Sequence, residues 1–196
     1  MYTNRETIIL ASGSPRRKQY MLDAGLDFIV QTASVEEHVA EGEEVDDFLL
    51  RMAREKAREI SMQSPDCWVV SVDTVVCLDD VILGKPRDDE HAVAMLMMLS
   101  DREHTVKTGF CVAHCRQGIM DCRLVATRVR FGSFSRAVAR AYVATGEPAD
   151  KAGAYGIQGR GGCLVKSIEG SYSNVVGLPL HELLDVLLNH NVIAPM

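Results

Sequence analysis

The segment from Ser12 to Arg17 places two hydroxyl groups and two guanidinium groups within six residues. An apolar run that predicts a buried strand precedes it, and Ser14 and Pro15 predict the N-cap and first residue of a helix. Arg16 and Arg17 then fall in the first helical turn, where cations oppose the helix dipole. The segment therefore has the chemistry of an anion site, with phosphate as the best-fitting ligand. The alternative is a solvated helix start with two surface arginines.

A lysine interrupts the apolar stripe of a long predicted helix. The apolar positions of that helix recur at helical spacing: Leu49, Met52, Ala53, Ala57 and Ile60. Lys56 falls inside this stripe, so its ammonium group must either reach solvent along the edge of the stripe or meet a negative partner. Both outcomes stay open at this point, and the second would make Lys56 a candidate for phosphate or carboxylate binding.

A carboxylate interrupts the β-branched run from Trp68 to Leu78, which predicts a buried strand. Because an unpaired buried charge is costly, Asp73 needs a cation, a metal or several N–H donors, or else it lines a cavity. An internal salt bridge without chemistry is the alternative.

Lys85 lies close to Asp73 in the predicted hairpin that follows. A two-residue turn at Asp79-Asp80 would place Thr74 opposite Lys85, whereas a one-residue bulge would place Asp73 opposite Lys85. In either register the ammonium group approaches Asp73 and Thr74, and Pro86 ends the pairing. A carboxylate, a hydroxyl and an ammonium group together could activate water beside a phosphate.

The segment Asp150–Gly162 is dense in glycine, with five glycines in its last ten residues. Glycine is unfavourable to order, so this density predicts tight turns or a backbone that passes close to a ligand. Gln158 could offer both a donor and an acceptor to a nucleobase edge. A mobile surface loop is the alternative. The sequence has no GxxxxGK[ST] motif, which disfavours a P-loop kinase or GTPase.

Length and composition restrict the class of protein. The 196 residues, 47% of them hydrophobic, fit a single domain over residues 1–196, either undivided or with two lobes. The net charge of −6 argues against nucleic-acid binding. No apolar run is long enough to span a membrane. The six cysteines form no CxxC pair, so we expect free thiols and a cytoplasmic location.

Strand-like and helix-like segments alternate and then give way to hairpins, which predicts an α/β protein with a mixed sheet. The predicted strands are Ile8–Ala11, Phe28–Ala33, Trp68–Leu78, Val81–Leu83, Val106–His114, Ile119–Phe131 and Cys163–Ile168. The predicted helices are Pro15–Ala24, Val45–Met62, Asp88 or Asp89 to Leu99, Ser135–Ala144 and Leu178–Leu188.

Several of these segments, in this order, resemble the Maf family of nucleoside triphosphate pyrophosphatases over about Ile8 to Leu188. The matching motifs are Ala11–Arg17, Glu36-Glu37, Ala53–Ala57, Val72–Val76, Gly84–Pro86, Asp150–Gly159 and Gly177–Pro179. The resemblance implies a strongly twisted mixed sheet with flanking helices and two lobes around a deep cleft, as in Maf and ITPase-like proteins. It also implies hydrolysis between the α- and β-phosphates, a divalent cation (Mg²⁺ or Mn²⁺) and a homodimer.

The resemblance also implies residue roles. Asp73 would be the catalytic base and, with Glu37, would hold the metal, although adjacent Glu36 is an alternative to Glu37. The residues that would bind the triphosphate are Ser12, Arg16, Arg17, Lys56 and Lys85. Arg16, Thr74 and Gln158 match the subgroup that acts on dTTP and UTP. The alternatives are a 7-methyl-GTP pyrophosphatase and a nucleotide-binding regulator of cell division without turnover.

One segment departs from the family pattern. Thr127–Phe131 keeps the Thr-x-Val-x-Phe spacing but adds Arg128 and Arg130. These arginines are either solvated strand residues or an altered charge at the rim of the site.

Overall fold

The computed structural model describes residues 1–79 and 81–196, so Asp80 of the predicted turn lies outside the described residues. The strands are β1 (Tyr2–Asn4), β2 (Ile8–Leu10), β3 (Ile29–Val30), β4 (Trp68–Leu78), β5 (Val81–Leu83), β6 (Glu103–His114), β7 (Ile119–Phe131), β8 (Val165–Glu169) and β9 (Ile193–Pro195). The α-helices are α1 (Pro15–Asp23), α2 (Val45–Gln63), α3 (Asp89–Leu99), α4 (Arg136–Val143), α5 (Tyr172–Val176) and α6 (Leu180–Asn189). Short 3-10 helices span Glu147–Asp150, Ala152–Ala154 and Arg160–Leu164.

The larger sheet is mixed, as predicted. β2 is parallel to β3 and to β4, whereas β4 pairs with β5, and β7 with β8, in antiparallel register. Its strand order is β3-β2-β4-β6-β7-β8, with β5 beside β4. A separate antiparallel pair joins β1 to β9. The predicted α/β class is therefore confirmed, while the strong twist and the cleft stay predictions.

The chain divides into two compact units. Unit 1 consists of Met1–Asp73, Thr108–Val125 and Gly177–Met196. Its core includes Trp68 and Phe110, whose side chains are almost fully buried. The apolar character of β2, β4 and β6 supplies much of this core, because strands covered on both faces need apolar residues at nearly every position.

Unit 2 consists of Thr74–Lys107 and Ala126–Val176. Its core packs α3 and α4 against β6 and β7 residues such as Val106 and Phe131. Asp88 caps α3, because its carboxylate accepts the N–H of His91 at 2.7 Å, which decides between the two predicted starting residues.

Most predicted elements are present with small shifts at their ends. The bounds of β4, β5 and β7 match the prediction. The predicted strand Cys163–Ile168 instead begins at Val165, because the residues before it form a 3-10 helix. Sequence periodicity did not reveal β1, β9 or α5, since elements of three to five residues are too short to show a period.

The prediction of free thiols is wrong for two cysteines. Cys111 on β6 and Cys122 on β7 form a disulfide, with Cα atoms 4.0 Å apart. The two strands are neighbours joined by a short turn, so residues far apart in the strand pattern face each other across the hairpin. The free cysteines of the described chain are Cys67, Cys77, Cys115 and Cys163.

Within residues 1–79 and 81–196, no helix combines the length and the apolar character that crossing a membrane requires. The cytoplasmic location stays a prediction.

Candidate active site

The buried ammonium group of Lys56 bridges two carboxylates in unit 1. Its Nζ donates to Asp73 Oδ1 at 2.8 Å and to Glu37 Oε1 at 2.5 Å. The side chains of Lys56 and Asp73 are 10% and 12% exposed, whereas that of Glu37 is 58% exposed. Lys56 and Asp73, the two charged residues that interrupt apolar segments, therefore pair with each other. The cluster reaches solvent on the side of Glu37.

Helix α2 places Lys56 over β4 because it packs directly on the sheet. A Cβ atom added at Gly109 of β6 would lie 2.5 Å from the Leu49 carbonyl oxygen, so only glycine allows this approach. Ser71 of β4 donates its hydroxyl to the Ala53 carbonyl of α2 at 2.5 Å. Asp73 follows two residues later on the same face of the strand and reaches the next turn of the helix.

The acidic loop that carries Glu37 is attached to α2. Arg51 donates from Nε to Glu43 Oε1 at 2.6 Å and from Nη2 to the His38 carbonyl at 2.9 Å. The hydrogen bonds from Arg51 lower the pKa of Glu43 to about 2, so this carboxylate is ionised at neutral pH. Glu59, also on α2, accepts the N–H of Ser34 with both oxygens.

The segment Ser12–Arg17, which was predicted to bind an anion, forms a junction in which Arg17 hydrogen-bonds to other residues of the protein. Its Nε donates to the Gly177 carbonyl at 2.8 Å, and its Nη1 donates to the Val72 carbonyl and to Ser12 Oγ, each at 3.0 Å. These bonds tie the start of α1 to β4 and to the segment before α6. Arg17 is therefore held immediately beside the strand residue that precedes Asp73.

The guanidinium group of Arg17 stays charged at neutral pH although it is buried. Burial lowers the pKa of Arg17 to about 10, while the charge of Asp73 opposes this shift and that of Arg16 adds to it. Arg16 lies in the first turn of α1, as predicted, and is half-buried.

Ser14 differs in one respect from the prediction, whereas the role of Ser12 stays a prediction. Ser14 occupies the N-cap position of α1, but within the described chain its side chain makes no capping bond. Instead its own N–H donates to Ser12 Oγ at 3.3 Å. Ser12 is buried, and its oxygen accepts both this bond and the one from Arg17, which leaves its hydroxyl proton to be donated elsewhere.

Unit 2 holds the remaining predicted site residues. Thr74 follows Asp73 on β4 and is half-buried, whereas Lys85 and Gln158 are exposed. In the hairpin Leu78 pairs with Val81 and Val76 with Leu83. The predicted register without a bulge is therefore confirmed over these paired residues.

The pairing of this hairpin ends at Leu83, so Lys85 lies beyond it and Pro86 is not the residue that stops it. The glycine-rich segment passes close to this point. The N–H of Gly153 donates to the Gly84 carbonyl at 3.1 Å, and a Cβ at Gly153 would touch Val76 at 3.0 Å.

Arg128 and Arg130 are solvated strand residues. Arg128 lies in contact with Glu103 and Glu169, and Arg130 pairs with Asp101 at 3.5 Å, all at exposed positions. Arg128 and Glu169 are register partners on β7 and β8, which explains the pair. The proposed change of rim charge has no support in these contacts.

Sequence reasoning assigned no role to three residues that position the site, although one of them, Gly177, belongs to a motif that matches the family. Ser71 and Gly109 set the distance between α2 and the sheet, and Gly177 supplies the carbonyl that Arg17 requires. The polar residue at Ser71, on the same strand face as Asp73, was the available signal.

The carboxylates of the cluster also fit a divalent cation. Among the described residues, no group of three or more His, Cys, Asp or Glu side chains could enclose a metal ion. Glu37 and Asp73 nevertheless converge on one cationic atom at hydrogen-bond distance. Mg²⁺ characteristically uses one or two carboxylates and takes its other ligands from water and substrate phosphates.

Comparison with known proteins identifies the family. The Maf-like protein family matches residues 7–190. A dTTP/UTP pyrophosphatase of Desulfotalea psychrophila is 53% identical over 194 residues, which cover 99% of this chain and 100% of that protein. A dTTP/UTP pyrophosphatase of Methylobacillus flagellatus is 47% identical over 100% of this chain and 98% of that protein. One of Escherichia coli O157:H7 is 45% identical over 95% of this chain and 94% of that protein.

This chain therefore belongs to the Maf-like protein family, and the resemblance of its motifs to that family is confirmed.

Proposed function

We propose that this protein hydrolyses dTTP and UTP at the bond between the α- and β-phosphates, with water as the nucleophile and pyrophosphate as the leaving group. The observation that carries this proposal is the buried Lys56 that bridges Asp73 and Glu37 in unit 1. The names of relatives at 45–53% identity over nearly the whole chain support the choice of substrate.

In this proposal Asp73 removes the proton from the attacking water. Its Oδ1 is held by Lys56, so the carboxylate has a fixed orientation and stays available at its other oxygen. Ser71 supports this geometry from two residues away on the same strand face, because it fixes β4 to α2.

The triphosphate meets several cations and one hydroxyl donor. We assign Arg16, Lys56 and Lys85 to the phosphate oxygens, and Ser12 donates its remaining hydroxyl proton there. Arg17 contributes its charge, while its bonds to the Val72 and Gly177 carbonyls hold the segment in place. Positive charge placed where negative charge develops stabilises the transition state.

We propose that Glu37 and Asp73 hold a Mg²⁺ or Mn²⁺ ion, because both carboxylates contact the same ammonium group and therefore lie next to each other. When bound, the ion would neutralise charge on the phosphates and the leaving pyrophosphate. Glu37 is favoured over Glu36 as the ligand, since Glu37 is the residue whose carboxylate reaches Lys56.

We assign base selection to Arg16, Thr74 and Gln158, which match the dTTP/UTP subgroup. The primary amide of Gln158 can accept the N3–H of uracil or thymine and donate to O4. From the family we also propose a homodimer in the cytoplasm, which sedimentation of the purified protein and fractionation of cells would test.

The decisive experiment measures pyrophosphate release from dTTP, UTP, CTP and 7-methyl-GTP with Mg²⁺ or Mn²⁺. We expect dTTP and UTP to be cleaved most efficiently. Preference for 7-methyl-GTP would favour the sister subgroup, and release from none of them would favour a regulator that only binds nucleotide.

The role of Asp73 is tested by Asp73→Asn, which keeps the volume of the side chain and removes its basicity. We expect kcat to fall by about 10³-fold, since general base catalysis contributes this order. Calorimetric titration with a non-hydrolysable dTTP analogue should show that binding is retained. The matched control is Asp66→Asn at an exposed surface pair, which should keep wild-type kcat. Wild-type turnover by Asp73→Asn would contradict the assignment.

A further inference from the structure

Unit 2 contains a half-buried carboxylate that has no part in the chemistry proposed above. Glu147 Oε2 accepts the N–H of Arg160 at 2.8 Å, and Glu147 Oε1 accepts the N–H of Gly161 at 3.2 Å. Oε1 also accepts the hydroxyl of Tyr142 at 2.8 Å, and that hydroxyl in turn accepts the N–H of Gly156 at 3.0 Å. We call Glu147 and Tyr142 together the Glu147 clamp.

Two glycines of this loop lie directly against the Glu147 clamp. A Cβ atom at Gly159 would lie 2.4 Å from Glu147 Oε2, and one at Gly161 would lie 2.5 Å from the Tyr142 hydroxyl. At Gly161 the Gly156 carbonyl oxygen would also lie 2.8 Å from such a Cβ, so that position requires glycine, whereas at Gly159 a Cβ would displace the carboxylate of Glu147. The glycine density that sequence reasoning related to a ligand thus has a structural cause at these two positions.

The protonation states of the clamp suit these bonds. Burial raises the pKa of Glu147, but the N–H of Arg160, the Tyr142 hydroxyl and the N–H of Gly161 outweigh it, so that the pKa lies below its usual range. Burial and the bond to Glu147 raise the pKa of Tyr142. At neutral pH an ionised acceptor therefore faces three donors, and hydrogen bonds to an ionised group are the stronger ones.

Lys151 extends the clamp on the other side of the loop. Its Nζ donates to the Glu147 carbonyl at 2.6 Å and to Asp150 Oδ1 at 2.7 Å. Its side chain lies against Gly156, where a Cβ would be 2.8 Å from Lys151 Cε. The loop is thus fixed at Gly156 and again at Arg160 and Gly161, on both sides of Gln158.

Fixing Gln158 matters because a primary amide does not discriminate by itself. It can offer an acceptor and a donor to the N3–H and O4 of uracil or, turned over, a donor and an acceptor to the N3 and N4 amino group of cytosine. Rotation of the terminal amide exchanges these two presentations, so selection also requires that the amide be placed at a fixed position against the base edge, and a backbone held on both sides supplies that position. The exposed Gln158 has its own backbone limited on both sides by the clamp.

We propose that the Glu147 clamp is the positioning device for base selection, which makes Glu147 and Tyr142 specificity-determining residues that need not touch the nucleotide. This inference rests on the proposed function, in that Gln158 is taken to read the base. The chemistry at Asp73 lies in unit 1 and does not use the clamp, so loss of the clamp affects discrimination more than turnover.

The test compares Glu147→Gln and Tyr142→Phe with the wild type. In Glu147→Gln an amide –NH₂ must replace one of the acceptor oxygens and faces an N–H or O–H donor. We expect the ratio of kcat/KM for dTTP to that for CTP to fall about tenfold, the effect of losing one hydrogen bond to a charged group. KM for dTTP should rise, while kcat with dTTP stays near the wild-type value.

Hydrogen exchange supplies a second readout that does not depend on activity. The amides of Gly156, Arg160 and Gly161 donate to the clamp, so a peptide that covers residues 156–162 should exchange faster in both variants. Peptides from α2 should exchange as in the wild type, which controls for general destabilisation.

Two variants test the coupling within the clamp. Gly159→Ala places a methyl group against the carboxylate and should reproduce the loss of discrimination. Adding Glu147→Ala to Gly159→Ala removes the collision, so the double variant should be no worse than Glu147→Ala alone, which is non-additive behaviour. Glu90→Gln, at an exposed pair with Arg140, is the matched control and should keep the wild-type ratio.

The outcomes separate the two proposals. If the wild type cleaves neither dTTP nor UTP, the proposed function fails. Hydrogen exchange of residues 156–162 then tests by itself whether the clamp holds the loop. If the wild type is active and the Glu147→Gln and Tyr142→Phe variants keep its dTTP/CTP ratio, the clamp does not serve selection. An equal loss of kcat for both nucleotides with an unchanged ratio would overturn the inference in the same way.

Discussion

The two units bury ionisable groups in opposite ways. Unit 1 keeps Lys56 and Asp73 together as an ion pair at 2.8 Å, with both side chains about nine-tenths buried. Unit 2 buries His104 and Tyr155 against each other, with His104 Nε2 2.8 Å from the Tyr155 hydroxyl. Burial lowers the pKa of His104 to about 4 and raises the pKa of Tyr155, so both groups are neutral at pH 7.

The difference teaches where ionised groups are retained. A buried charge is tolerated only with an opposite charge or several hydrogen bonds, and a neutral pair such as His104 and Tyr155 is simpler to bury. The ion pair of unit 1 costs more free energy to bury than the neutral pair of unit 2, and its carboxylate lies on β4 next to Thr74. The same rule separates two carboxylates, because the ammonium group of a side chain holds Asp73 while two backbone N–H groups and a hydroxyl hold Glu147.

The largest expected effect comes from breaking the ion pair of unit 1. Lys56→Met keeps the length of the side chain and removes its charge, leaving Asp73 and Glu37 without their shared cation. We expect kcat/KM with dTTP to fall by about 10²–10³-fold. The free energy of unfolding should fall by about 3 kcal/mol. Steady-state assays and urea unfolding measure the two effects.

Arg58→Met is the control for this change, because it removes an exposed cation from the same helix. Its activity and stability should match the wild type. A Lys56→Met protein as active as Arg58→Met would show that the pair is structural only.

An intermediate effect is expected from the neutral pair of unit 2. His104 stays neutral in the folded protein down to about pH 4, whereas in the unfolded chain it binds a proton near pH 6.5. The unfolded state binds more protons in between, so stability falls as the pH falls from 6.5 to 4. The loss attributable to His104 is about 3 kcal/mol over this interval.

Urea unfolding between pH 4 and pH 7 checks this expectation. His104→Gln should flatten the pH dependence, while Tyr155→Phe keeps the buried imidazole and should retain it. If His104→Gln and the wild type lose stability in parallel, the imidazole is not the group responsible.

The smallest effect is expected at exposed ion pairs, which are not buried in either unit. Arg128→Gln removes the contacts with Glu103 and Glu169 on the surface of unit 2. Because exposed pairs contribute little and are screened by salt, the thermal midpoint and the activity should not change measurably. Calorimetry at low and high salt tests this, and a marked shift in activity would revive a role at the rim of the site.

Much of the fold could be predicted from the sequence, since long elements carry a clear period. The apolar stripe of α2 and the β-branched run of β4 predicted both elements and marked Lys56 and Asp73 as anomalies. The end of pairing at Leu83 and the start of β8 at Val165 were not predictable, because both depend on contacts with other segments.

Contacts between distant segments distinguish residues that look alike in the sequence. Glu36 and Glu37 are equivalent as neighbours in sequence, but Glu37 is the one that reaches Lys56. Cys111 and Cys122 were expected to be free thiols like the other cysteines, and only strand pairing brings them together. Glu147 gave no signal, because an acidic residue before a proline is ordinary until the loop folds onto it.

By itself the sequence determined which residues could not be buried without partners, because residue type and periodicity are local properties. Lys56 and Asp73 were identified in this way, and the order of motifs identified the family. Only the tertiary structure decided which partner each charge has, because partners lie 17 residues apart for Lys56 and Asp73 and 160 for Arg17 and Gly177. Packing of α2 on β4 brings Lys56 to Asp73, and packing of α1 beside the segment before α6 brings Arg17 to Gly177.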